Sequence, residues 1–362
     1  MHRSLEASPG SIFLRGWRSY LPTMAIGIAL ILANSDFSSL RAADLDITPQ
    51  VDKALADGLV FLAKQQLPDG SFEPGGPRIA MTGLCLMSFL AAGHVPDDGR
   101  YGQCVRSATE YLINNAPTDG YFGKVDGSRM YGHGIATLAL AEAYGADHDA
   151  NRRRRCRAVL ERAVEVIFKA QDVTKTDPFA GGWRYEPTNP DSDLSLSGWN
   201  ALALRAAANI GIEVPRDRVK RAIGFVMNCY RPQQNGFAYQ PGNDASIAMT
   251  GVGMINLYLL EGLKRPELAS GARYLMTHPV VDDTRMPYYA MYYSTQAAFQ
   301  AGDQTWATVW RANQARLLLA ESREDGGWPQ SITGEEPGRV YATAMACLTL
   351  SVPYRLLPIY QR

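Results

Sequence analysis

Neither sign of charge predominates in the 362-residue chain, where 36 Lys and Arg balance 36 Asp and Glu. That balance excludes the basic footprint that nucleic acid or an anionic membrane surface would require, so no nucleic-acid partner is expected. Cysteine is sparse: Cys85, Cys104, Cys156, Cys229 and Cys347 stand singly and are odd in number. They form no disulfide framework and no CxxC or His/Cys spacing for zinc, so neither a metal nor a cofactor is expected. Cys85 and Cys347 sit in apolar runs and read as small core residues. An uncharged run long enough to cross a membrane, about 20 residues, is also lacking.

The N-terminus is different in kind. Arg3, Arg15 and Arg18 precede the uncharged stretch Tyr20 to Ala33, a positive flank followed by a short apolar segment. Residues 1–43 are therefore expected to be an export signal, with cleavage near "SLRAA" after Ala42 or Ala43. Leu40 or Arg41 at the third position back fits the small-residue rule poorly, which leaves an uncleaved anchor open. Export places the protein in the periplasm or outside the cell, with no stable membrane span once the signal is removed. The basic run Arg152 to Arg155 opens an amphipathic pattern and reads as a solvated helix face.

What the chain does have is repetition. Five Gly-aromatic turns recur, "PDGSF" (68–72), "TDGYFG" (118–123), "AGGWRY" (180–185), "QNGFAY" (234–239) and "EDGGWP" (324–329). Uncharged helical runs begin near Thr82, Gly134, Ser197, Thr250, Ser294 and Thr343, a degenerate period of about 50 residues of the kind that marks repeat architectures. Between them lie amphipathic segments with one apolar stripe: Leu55, Leu59 and Leu62; Val105, Ala108 and Leu112; Val159, Ala163 and Val166; Val219, Ile223 and Val226.

The striped segments predict outer helices, and the uncharged ones inner helices covered on both sides. Six of each, alternating, predict a closed double ring from about residue 48 to 362. An open solenoid competes, but it would need polar end caps, and "YATAMACLTLSV" near the C-terminus has no polar face. In a closed ring, the turns and the first residues of the inner helices gather at one mouth of a central cavity.

These features resemble the family of squalene cyclases and protein prenyltransferase β subunits, above all the exported prenyltransferase and squalene oxidase repeat proteins. "QQLPDGSF", "FAGGWRY", "QQNGFAYQ" and "SREDGGWPQ" carry the likeness, which spans about residues 50 to 362. The resemblance implies an all-α (α/α)6 toroid, terpenoid cyclase-like, that binds or converts an apolar or isoprenoid-like ligand. The cyclases' Asp-X-Asp-Asp acid motif is matched only by Asp191-Ser192-Asp193-Leu194, without the third acid. Superposing the following "LAL" runs sets Ser195 at the donor position. The prenyltransferase Asp-X-Cys zinc ligands and the thioester Gly-Cys-Gly-Glu-Gln of another toroid family are absent.

Candidate catalytic residues are Asp193, Asp191 and His133. The two aspartates, two apart in an extended lead-in, could share a proton or could cap the helix that follows. His133, between two glycines at an inner-helix start, could act as a base, hold an anion, or serve as a hydrogen-bonded turn histidine. Candidate ligand-binding residues are Trp183, Arg184, Tyr185, Trp199, Tyr239, Tyr289, Tyr293, Trp328, Arg339 and Tyr341, whose aromatic faces suit a carbocation, a sugar, a lipid or plain core packing. Whether the protein is an enzyme stays open at this level. The alternatives are a non-catalytic module that binds peptide or glycan, and a toroid-type carbohydrate lyase or hydrolase using paired carboxylates.

Overall fold

Thr48 opens the first helix: its Oγ1 accepts the Val51 N–H at 3.2 Å, and Pro49 fills the first turn, where a missing N–H costs nothing. The computed structural model describes residues 47–361 apart from 74–75, 263–264 and 321–323. The expected export signal, 1–43, lies outside the described residues.

Twelve long helices follow among the described residues. They are α1 (Pro49–Gln65), α2 (Arg78–Ala91), α3 (Gly102–Asn114), α4 (Arg129–Ala146), α5 (Ala150–Asp172) and α6 (Leu194–Asn209). The second half adds α7 (Arg216–Asn228), α8 (Ile247–Leu260), α9 (Pro266–Thr277), α10 (Pro287–Ala301), α11 (Asp303–Ala320) and α12 (Gly338–Leu350). A single turn of helix at Gly123–Asp126 and one short hairpin, β1 (Tyr230–Arg231) with β2 (Gly236–Phe237), complete the regular structure apart from two C-terminal 3-10 turns. No described helix is long and apolar enough to cross a membrane.

The even-numbered helices form the inner ring. Each packs on the next, and α12 packs back on both α2 and α1, so the ring closes. Burial follows the sequence pattern: every residue of α2 after Arg78 is buried, whereas α1 buries only the stripe containing Val51, Leu55, Leu59 and Leu62. The fold is the expected (α/α)6 toroid.

The recurrent turns are the bolts between repeats. In four of the five, the backbone N–H of the aromatic residue donates to a hydroxyl on the next inner helix: Phe72 to Thr82, Trp183 to Ser197, Phe237 to Thr250 and Trp328 to Thr343, at 2.9–3.1 Å. The two tryptophans also send Nε1–H to a carbonyl of the preceding outer helix, Ile167 and Leu317. Glycine is required where the turn meets the following outer helix. Gly181 has φ +91°, and a Cβ there would stand 2.3 Å from the Arg221 carbonyl oxygen; Gly326 repeats the contact against Asp57 of α1 and so joins the last repeat to the first.

Two details depart from expectation. The inner helices begin earlier than their apolar runs, α2 at Arg78 rather than Thr82 and α10 at Pro287 rather than Ser294, and the added turns carry cavity-lining residues, Ala80 and Met81 on α2 and Tyr289 on α10. Arg152 is no solvated residue: it is buried and donates to Asp147 Oδ1 and Asp97 Oδ2, both at 2.7 Å, while Arg153, Arg154 and Arg155 are exposed. No disulfide joins the five cysteines, all of which are buried.

Candidate functional site

The inner-helix N-termini converge on a cavity of ≈ 670 Å³. Ala80, Met81 and Leu84 come from the start of α2, with Pro77 just before it, Tyr131 and Ile135 from α4, Trp199 from α6, Tyr289 from α10 and Tyr341 from α12. Loop residues Asp126, Tyr185, Met286 and Pro337 complete most of the rim. Among the described residues no Lys, Arg or His lines the cavity, and the one carboxylate that does is Asp126. That carboxylate is engaged, capping α2 through Ile79 N–H at 2.6 Å and accepting Ser128 N–H at 2.9 Å.

Below the cavity the axis is filled with aromatic rings. Tyr289 lies 4.7 Å from Tyr293, Tyr293 5.5 Å from Trp199, and Trp199 stacks 6.3 Å from Tyr292. The Tyr292 hydroxyl bonds that of Tyr360 in the C-terminal turn Pro358–Tyr360, whose backbone is held by Gln300 and Glu142 near the far ends of α10 and α4.

Asp193 caps α6. Its Oδ1 accepts Leu196 N–H at 2.9 Å and Ser195 O–H at 2.6 Å, and its Oδ2 accepts Arg184 Nη1 at 2.7 Å. Burial is the larger influence and leaves its pKa raised, although the Leu196 amide, Ser195 and Arg184 each act to lower it. Asp191 is partly exposed and shares the same guanidinium, 3.1 Å from Arg184 Nε. The pair is thus divided by an arginine rather than joined by a proton. Neither carboxylate lines the cavity; Asp193 approaches it only through Ser195, whose Oγ lies 2.6 Å from the Tyr131 hydroxyl.

Arg184 also sits behind the wall. It donates to the Tyr239 hydroxyl at 2.6 Å and stacks 4.6 Å above the Tyr185 ring, and the Tyr239 and Tyr185 hydroxyls are 2.9 Å apart. Of the ligand-binding candidates, Tyr185, Trp199, Tyr289 and Tyr341 reach the cavity. Tyr239 and Tyr293 back it, and Trp183 and Trp328 are wholly inside the repeat contacts. Arg339 faces away, paired with Asp325 at 2.8 and 2.9 Å over the Phe61 ring.

The structure does not bring His133 to the cavity. It is fully buried, accepts the Phe122 N–H on Nδ1 at 3.3 Å and donates Nε2–H to the Ala163 carbonyl at 3.0 Å. It fills the place that Thr82, Ser197, Thr250 and Thr343 fill in the other repeats. Burial depresses its pKa to about 4, which keeps it neutral.

Two residues are absent from the sequence-level candidates. Tyr131 is one turn before Ile135 on α4, and that i, i+4 pair defines the cavity-facing stripe. Glu336, in the plain loop segment "GEEPG", is 1% exposed and accepts Tyr289 N–H at 3.0 Å, with burial raising its pKa to about 7. Nothing in its local sequence signals that burial.

These features define the class: a closed (α/α)6 toroid with an aromatic cavity at one mouth. No protein-family model matches the chain, and no curated protein matches it. Solved structures do. An α-1,6-mannanase from Salegentibacter sp. superposes with TM-score 0.61 at 10% identity, over 84% of this chain and 99% of its own. Cellobiose 2-epimerase from Bacillus thermoamylovorans gives 0.61 at 13%, over 83% and 98%. A type II terpene cyclase from Scytonema, in complex with geranylgeranyl dihydroxybenzoate, gives 0.54 at 13%, over 86% and 98%. At such identities the likenesses establish the fold alone.

Proposed function

We propose that the toroid binds an apolar, isoprenoid-like ligand in its central cavity. The observation that carries this reading is the composition of the ≈ 670 Å³ mouth, in which aromatic and aliphatic side chains from five inner helices meet without one basic group among the described lining residues. A pocket of this kind stabilises a hydrocarbon by area removed from water and offers nothing to an anionic diphosphate. It equally lacks a facing pair of carboxylates for glycoside cleavage, since Asp126 is the one acid in the lining and both of its oxygens cap backbone amides.

Thermal unfolding with farnesol, geranylgeraniol, α-1,6-linked mannotetraose and cellobiose tests the reading. A ligand that binds only the native state raises Tm in proportion to ln(1 + [L]/Kd). The polyprenyl alcohols should raise Tm and the sugars should not; the reverse result overturns the proposal. We also propose export on the strength of residues 1–43, checked by whether the N-terminus of the protein from its native host starts near Asp44.

A further inference from the structure

We propose that the Tyr131 and Tyr185 hydroxyls form a headgroup subsite that recognises an alcohol, with Tyr131 presenting an acceptor and Tyr185 a donor. The inference rests on the apolar-ligand reading above and deepens it. Both tyrosines line the cavity, with ring centroids 6.0 Å apart, and each is oriented from behind by one half of the buried Asp193–Arg184 pair.

The directions follow from counting protons. Ser195 has one, and it goes to Asp193 Oδ1, which has no proton to return while its other oxygen accepts from Arg184. The 2.6 Å contact between Ser195 Oγ and Tyr131 must therefore use the tyrosine proton. With that proton turned into the wall, the Tyr131 oxygen faces the cavity with its lone pairs.

The other branch has the opposite sense. Arg184 carries only donors, so Tyr239 accepts from it at 2.6 Å and spends its own proton on Tyr185, 2.9 Å away. The Tyr185 oxygen is thereby an acceptor within the wall, and its proton is left for the cavity. One lone-pair site and one O–H on neighbouring rings, their centroids 6.0 Å apart, match a ligand hydroxyl, which donates once and accepts once. An ether, which accepts only, can satisfy Tyr185 but leaves Tyr131 unmet, and a phosphate or carboxylate meets the lone pairs of Tyr131 with more negative charge.

The test compares geranylgeraniol with its methyl ether by isothermal titration of wild type, Tyr131→Phe and Ser195→Ala. Wild type should prefer the alcohol by about two- to tenfold, the worth of one net hydrogen bond. Tyr131→Phe should bring the alcohol down to the affinity of the ether and leave the ether unchanged. Ser195→Ala frees the Tyr131 proton to swing into the cavity, so the preference should shrink or reverse in favour of the ether. That second variant leaves both tyrosines in place, so it reads orientation rather than loss of a ring.

Equal binding of alcohol and ether by wild type, unmoved by Tyr131→Phe, overturns the subsite while the apolar reading stands. Failure of both compounds to bind wild type overturns that reading and the subsite with it.

Discussion

Asp193 Oδ2 lies 2.7 Å from Arg184 Nη1, with the aspartate side chain fully buried and the arginine side chain 20% exposed. A buried acid is held as an anion here by a partly hydrated cation, and the same acid caps α6. Burial alone would favour its neutral form; the arginine, a backbone amide and a serine oppose that. The site therefore has an ionic anchor behind a wall whose one carboxylate, Asp126, is engaged by backbone amides, and that anchor is what orients the hydroxyls.

The anchor is open to substitution. Asp193→Ala removes an N-cap, a loss of about 0.5–2 kcal/mol, and strips Arg184 of its buried partner while Asp191 remains. Asp193→Asn keeps an acceptor for Leu196 N–H but turns an amide NH2 toward the guanidinium, donor against donor. Both variants should be destabilised in urea unfolding, and Asn should not be neutral. A neutral Asn result would mean that capping, and not the ion pair, is all that Asp193 supplies.

The ring closure makes a second prediction. Gly181→Ala combines a left-handed backbone with a Cβ only 2.3 Å from the Arg221 carbonyl, whereas Gly211→Ala has φ +79° and open space around it. The first must displace α7, and the second costs only the left-handed strain of about 1–2 kcal/mol. Unfolding midpoints should fall clearly further for Gly181→Ala. Equal losses would show that the turn does not bear on the next helix.

Much of the scaffold was legible because it depends on local rules. The one-stripe pattern of Val105, Ala108 and Leu112 and the all-round burial of α2 follow from helical periodicity, and the toroid follows from their alternation. The site was legible only in part. Trp199, Tyr289 and Tyr341 sit near helix starts and Tyr185 in a Gly-aromatic turn, where a closed ring gathers side chains, but Trp183 and Trp328 occupy equivalent turns and point the other way, into backbone carbonyls. His133 reads as chemistry in sequence because histidine is rare there; only three-dimensional equivalence with Thr82 and Thr250 reveals it as an acceptor for a turn amide. Glu336 left no trace, since a loop glutamate is ordinarily exposed and its burial is imposed by the packing of α10 against α12.

Glu336 supplies the pH prediction, and its sign is decided by which of two effects dominates. Its Oε1 caps the first turn of α10 at Tyr289, where a helix N-terminus favours a negative charge. Burial opposes that charge and is the larger influence, raising the pKa from 4.5 to about 7. A raised carboxyl pKa means the folded chain holds a proton that the unfolded chain has released, so this group's contribution to stability is greatest below about pH 4.5 and falls as pH rises to about 7. Glu336→Gln keeps an acceptor for Tyr289 N–H and cannot ionise. Its Tm should therefore match wild type near pH 4.5 and exceed it at pH 8, the gain being bounded by about 3 kcal/mol. Glu142, raised by burial to about 7 as well, leaves part of the slope in the single variant, and Glu142→Gln combined with Glu336→Gln should flatten it further. If instead Glu336→Gln loses stability at pH 8 and not at pH 4.5, the helix N-terminus outweighs burial and the carboxylate is an ionised cap.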